Sequence, residues 1–117
     1  MTRLYLAGPY SADNVLDVLA NIRQGIHAAT EALQAGFAVF CPWLDFQFGV
    51  VADIPLEYYR EHSLAWLRAS DVMWLLPGWE GHEGVIEELR VASELGIPVF
   101  DTLEQCMEWE RNRNVCL

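Results

Sequence analysis

Two adjacent glutamates, Glu87 and Glu88, follow the loop Pro77-Gly78-Trp79-Glu80-Gly81-His82-Glu83-Gly84. A carboxylate aimed into a pocket can serve as nucleophile or base, so the first question is which of the two points inward. At about 100° per helical residue, with Val85 at zero, Val85, Leu89 and Ala92 cluster near zero and define the buried face. Glu87 falls at about 200°, toward solvent, next to Arg90, which in turn neighbours Glu94. Those three read as surface ion pairing. Glu88 falls at about 300°, on the border of the buried face. One turn into a helix that starts at a loop, it can project into a pocket there, and the helix N-terminus favours its ionised form. The plainer alternative is a flanking surface glutamate.

The loop Gly8-Pro9-Tyr10-Ser11 lies between a strand and a helix. Gly8 allows close backbone approach to a ligand, and a tight turn explains it equally well. The spacing is not G-x-G-x-x-G, so the dinucleotide fingerprint is absent. Arg60 and Arg68 could reach an anion or pair with Glu57, Glu61 or Asp71. His27 and His62 read as helix-surface residues.

These residues need elements to hold them. Leu4 to Ala7 reads as a buried strand stopped by Gly8-Pro9. A helix runs from Val15 to Leu33, capped by Ser11 or Asp13 and stopped by Gly36. Phe37 to Cys41 is a second strand. Trp43 to Pro55 reads as a long irregular loop, uncommon in a small domain unless it has a task. Helices are predicted over Leu56–Ala69, Gly84–Leu95 and Leu103–Arg111, and strands over Val72–Leu76 and Ile97–Phe100. Strands alternate with helices, and the strands are continuous apolar runs. That pattern predicts an α/β fold, a three-layer sandwich around a parallel sheet of four to five strands. Ligands in such sheets bind beyond the C-terminal strand ends, where the strand order reverses. The loops Gly8–Asn14, Pro42–Asp53 and Pro77–Glu83 all lie at that edge.

The chain has 117 residues, 53% of them hydrophobic, which fits one domain over 1–117 and excludes a disordered chain. Seven basic residues against 17 acidic ones give a formal charge of −10. Neither a nucleic acid nor an anionic membrane is expected as partner, since both require phosphate-neutralising side chains. There is no Lys, which removes Schiff-base chemistry and a Walker-type phosphate lysine. Cys41, Cys106 and Cys116 have no metal-ligand or disulfide spacing and read as incidental thiols of a reducing cytosol. No signal peptide precedes the first strand, and no apolar run nears the ~20 residues of a membrane span, so the expected location is cytoplasmic.

The phrases Leu4-Tyr5-Leu6-Ala7-Gly8-Pro9-Tyr10, Ala69-Ser70-Asp71-Val72, Leu76-Pro77-Gly78-Trp79-Glu80, and Gly84 through Glu88 to Gly96-Ile97-Pro98-Val99 resemble the nucleoside 2-deoxyribosyltransferase-like superfamily. The likeness is to its small, often phage-associated branch, and it spans nearly the whole chain. It implies a flavodoxin-like, Rossmann-like fold. It further implies cleavage of the N-glycosidic bond of a nucleoside or nucleoside 5′-monophosphate through a covalent sugar–enzyme ester. By position Glu88 is then the nucleophile, and Tyr5, Gly8, Pro9, Tyr10, Ser63 and Gly84 belong to the substrate site. The chemistry needs a carboxylate to capture the anomeric carbon, a proton donor for the departing base, and water or a second base as acceptor. It needs no cofactor and no metal. The resemblance also implies a homo-oligomer, and exposed aromatics and small size fit one.

Two positions depart from the resemblance. Ser63 stands where an Asp is expected before a Leu-x-x-Leu run, and serine is not a carboxylic acid. His82 stands six residues before Glu88, where monophosphate hydrolases have Ser and free-nucleoside transferases Asp. A histidine there could hold a phosphate or act as general acid, or it could be a solvated loop residue. In the second loop, Trp43, Phe46 and Phe48 could stack on a nucleobase while Asp45 reads its edge. Alternatively these aromatics cover the sheet end or form a subunit contact.

Three readings follow: an enzyme acting on a nucleoside or its monophosphate, a nucleotide-binding module with weak or lost chemistry, and an acidic, tryptophan-rich interaction protein. A phosphoribohydrolase signature begins at Pro77-Gly78 but is broken by Trp79 and His82.

Overall fold

The computed structural model describes residues 1–115; Cys116 lies outside them. Four strands, β1 (Arg3–Ala7), β2 (Ala38–Phe40), β3 (Val72–Leu75) and β4 (Val99–Phe100), pair in the order β2-β1-β3-β4, all parallel. The helices are α1 (Val15–Gln34), α2 (Phe48–Val51), α3 (Leu56–Arg68), α4 (Glu83–Leu95) and α5 (Leu103–Val115). The order is that of a flavodoxin-like sheet, and it reverses between β1 and β3.

Side chains of β1 alternate between two cores, because successive residues of a strand face opposite sides. Leu4 and Leu6 pack with Val72 and Trp74 against Ala28 and Ala32 of α1 and Leu103 and Cys106 of α5. Tyr5 and Ala7 pack with Met73 and Leu75 against Leu67 of α3 and Val85, Val91 and Ala92 of α4. Both faces of the sheet are thus covered, which is why its strands read as unbroken apolar runs. Burial pushes the Cys106 thiol up to about 12, so it stays a protonated core residue.

The expected helix ends shift slightly. Asn14, not Ser11 or Asp13, caps α1: its Oδ1 accepts from the Asp17 backbone N–H at 2.9 Å. Gly96 closes α4 in the left-handed region, at φ 71°, as its position after the apolar run suggests. The larger correction is the segment after β2. It is not an irregular loop. Pro42–Gln47 forms a 3₁₀ helix that runs directly into α2. Pro42 starts it without loss, since its missing N–H falls at an unpaired first-turn position.

Candidate active site

Trp43 is the keystone of the 3₁₀ helix. It is 1% exposed, and its indole N–H donates to the Pro9 carbonyl at 3.0 Å. The ring lies over Gly25 of α1, where a Cβ would overlap it, and against Gly8, where a Cβ would stand 3.1 Å from the ring and 3.0 Å from Leu76. Glycine at 8 therefore keeps a close approach that a Cβ would crowd. The turn after β1 is held further by Asn21, whose side-chain amide donates to the Tyr10 carbonyl at 3.1 Å. Trp43 covers the sheet end; it borders the cleft, but at 1% exposure it offers no free face for stacking.

A cleft of about 950 Å³ opens above this turn, at the reversal point of the sheet. The turn after β1 contributes Gly8 and Tyr10, the 3₁₀ helix Asp45 and Phe46, α3 Tyr59 and Ser63, and the start of α4 His82, Gly84 and Glu88. Pro9 lines an adjoining groove rather than the cleft. Tyr5 is fully buried beneath it, not on its wall.

The helical wheel separates the two glutamates as the structure does. Glu87 is exposed and ion-paired with Arg90 at 3.1 Å, and Arg90 also holds Glu94 at 2.7 Å. Glu88 is drawn inward, and its Oε2 is buried without a hydrogen-bond partner. The hydroxyl of Tyr5, also unpartnered, faces Glu88 and Ser63. No well-formed hydrogen bond closes among these three side chains. Buried polar atoms in folded proteins are nearly always paired, so two orphans side by side at a cleft mark a place built for something else.

Burial pushes the Glu88 carboxyl up to about 8, against a smaller opposing effect of Tyr5. The Tyr5 phenol is raised well above its ordinary range by burial and then by Glu88, with a lesser contribution from Asp45. Both carboxylates therefore act on one hydroxyl, Asp45 from the 3₁₀ helix that follows β2 and Glu88 from α4, the helix that follows β3. Burial also raises Asp45, while His62, 3.7 Å away, favours its ionised form.

The Glu88 shift makes stability depend on pH. The folded chain keeps a proton that the unfolded chain releases, so folding is favoured at low pH and weakens as pH rises from about 4.5 to about 8. The expected loss is on the order of a few kcal/mol, at about 1.4 kcal/mol per pKa unit. Glu88→Gln cannot ionise, so the variant should gain on wild type across that window. Urea unfolding of both proteins at pH 5 and pH 9 checks this; a difference that does not change with pH would contradict the placement.

One cleft residue, Tyr59, carries no motif, and it stands beside Ser63, the position that the resemblance singles out. Tyr59 and Ser63 stand one turn apart on α3 and share a wall. On the next stripe, His62 is half-buried between Phe40, Phe48 and Trp66, with ring centroids 5.9, 5.9 and 6.5 Å away. It is not a plain helix-surface residue, because these rings and Asp45 enclose it. The i, i+4 spacing of Tyr59 to Ser63 and of His62 to Trp66 is the signal that could mark Tyr59 and the setting of His62. His27 is exposed and pairs with Glu31. Arg60 borders the cleft and, among the described residues, makes no ion pair, whereas Asp71 is engaged by the Arg3 backbone N–H and Arg113.

A family model described as a domain of unknown function, DUF4406, matches residues 2–101. The chain belongs to the DUF4406 family. A search of curated proteins gives no match. The matched span ends at Asp101, so in this DUF4406 chain every element that borders the cleft lies inside it, and α5 lies beyond it. Among the described residues, no helix is long and apolar enough to cross a membrane.

Proposed function

We propose that this DUF4406 domain cleaves the N-glycosidic bond of a nucleoside or nucleoside 5′-monophosphate, with Glu88 as nucleophile. The observation that carries the reading is the Glu88 carboxyl: its Oε2 is buried and unpartnered, next to the equally unpartnered Tyr5 hydroxyl, at the end of the sheet where ligands of this fold bind. The sequence resemblance to the nucleoside 2-deoxyribosyltransferase-like superfamily selects the same glutamate.

In this reading the ionised Glu88 oxygen attacks C1′ as the base departs, forming a sugar ester. Water or a second base then attacks C1′ from the opposite side, so configuration is retained overall. The Tyr5 hydroxyl, which faces Glu88 and has no other partner, is placed to donate to the carboxylate once it ionises. His82, the residue that precedes α4 as its N-cap and lies on the cleft wall, is the candidate donor to the base; Ser63 cannot supply a carboxylic proton. A second copy of the chain would fit the exposed apolar residues of α2 and α3, among them Val50, Val51, Leu56 and Trp66.

The test is chromatography of free base after incubation with nucleosides and 5′-monophosphates, ribo and deoxy, with uncharged and with N-alkylated bases. Each is run with and without an acceptor base. Release by wild type is expected, and a product seen only with acceptor makes the protein a transferase. No release from any compound overturns the reading and leaves a binding module.

A further inference from the structure

Leaving aside Glu87, whose charge is paired with Arg90, five carboxyl groups line the cleft: Asp45, Glu57, Glu61, Glu83 and Glu88. The one guanidinium among the lining residues is Arg60. The aromatic rings of Tyr10, Phe46 and Tyr59 share the same walls. The chain as a whole carries a formal charge of −10, so the surrounding field has the same sign as the cleft. With Glu88 kept protonated by its burial, four carboxylates still stand against that one guanidinium, so the site repels a phosphate and attracts a cation. Aromatic faces add to the attraction when the cation is a flat ring. The unpartnered Glu88 oxygen and Tyr5 hydroxyl show that the cleft is more than a cluster of surface acids.

We infer that the substrate is a nucleoside whose base is already a cation, of the pyridinium or N-alkylpurine kind, and carries no 5′-phosphate. This rests on the glycosidase reading and explains Ser63. A neutral base departs as an anion unless a donor protonates it. A cationic base needs no donor. The C1′–N bond breaks, its electron pair stays on the ring nitrogen, and the positive charge is cancelled there. The Glu88 oxygen bonds to C1′ in the same step. Water then adds to C1′, the ester C–O bond breaks, and its electron pair returns to the carboxylate while the water proton passes to solvent. A cation seated beside Glu88 also draws the carboxyl toward its ionised form, so the nucleophile is generated by the substrate that requires it.

The probes are nicotinamide riboside, its 5′-monophosphate, 7-methylguanosine, and uncharged guanosine, adenosine and uridine. Each rate is divided by the uncatalysed hydrolysis of the same compound, which removes the intrinsic lability of cationic glycosides. The corrected kcat/KM for nicotinamide riboside and 7-methylguanosine is expected to exceed that of every uncharged nucleoside by about 100-fold, and that of the monophosphate by about 10-fold. Glu57→Gln/Glu61→Gln should narrow the first ratio by about 10-fold, chiefly through KM for the cations. Equal corrected rates for charged and uncharged bases, or a preferred monophosphate, would overturn the inference while leaving the glycosidase reading standing. An absence of base release from every probe would instead remove the reading beneath it.

Discussion

Glu88→Gln is expected to lower base release by at least about 10³-fold, while Glu87→Gln changes it less than about threefold. The first figure corresponds to roughly 4 kcal/mol of barrier, the scale on which loss of a bond-forming group acts. Glutamine keeps the shape and burial of Glu88 but cannot form the ester. Glu87 is exposed and shares Arg90 with Glu94, and an exposed pair contributes only about 0–1 kcal/mol to stability. Side-by-side kinetics on the best substrate, with circular dichroism to confirm folding, decide the matter. Comparable losses in both variants, or in neither, would remove Glu88 from the chemistry.

Gly25→Ala is expected to destabilise the protein by about 3 kcal/mol or more, against the usual helix preference. Inside an exposed helix the change would stabilise by about 1 kcal/mol, because alanine orders at lower entropic cost. Here the added methyl falls within the indole of Trp43. Overpacking of a core typically costs 1–3 kcal/mol, occasionally more, and this methyl meets a rigid ring that a hydrogen bond to Pro9 holds in place. For a domain of this size the loss corresponds to a melting point lower by roughly 12 °C or more. Calorimetry should show the loss, and a second change should relieve it: with Trp43→Leu in place, Gly25→Ala should cost less than about 1 kcal/mol more. Additive losses would mean that the clash is not with Trp43. Surviving Gly25→Ala protein should also bind substrate more weakly, because the turn carrying Gly8 and Tyr10 hangs on the same indole.

The sheet is legible in the sequence because both its faces are covered: Leu4 to Ala7 and Val72 to Leu76 are apolar on every residue, and glycine or proline follows each. The separation of Glu87 from Glu88 is legible because helical period alone sets it. The fate of Trp43 is not. An aromatic after a strand end can cover the core or face a ligand, and the choice rests on Gly25, eighteen positions earlier on another element. The 3₁₀ helix is hidden for a similar reason, since Pro42 to Gln47 has too few residues for a periodic signal. By hydropathy Tyr5 reads as one more apolar residue of a strand, and the resemblance alone assigns it to the site; the meeting of β1, α3 and α4 is what shows that its hydroxyl ends beside Glu88. His62 is enclosed by rings from β2, α2 and its own helix, and no local pattern reports that.

The outermost strands of the sheet, β2 and β4, are three and two residues long. Each offers at most roughly 10 Å of unpaired backbone along its outer edge. That is too little to template another strand, so edge-to-edge growth into extended β-aggregates has almost no foothold. Contacts between copies are left to side chains, and thereby to sequence-specific surfaces that a few substitutions can create or abolish without touching the sheet.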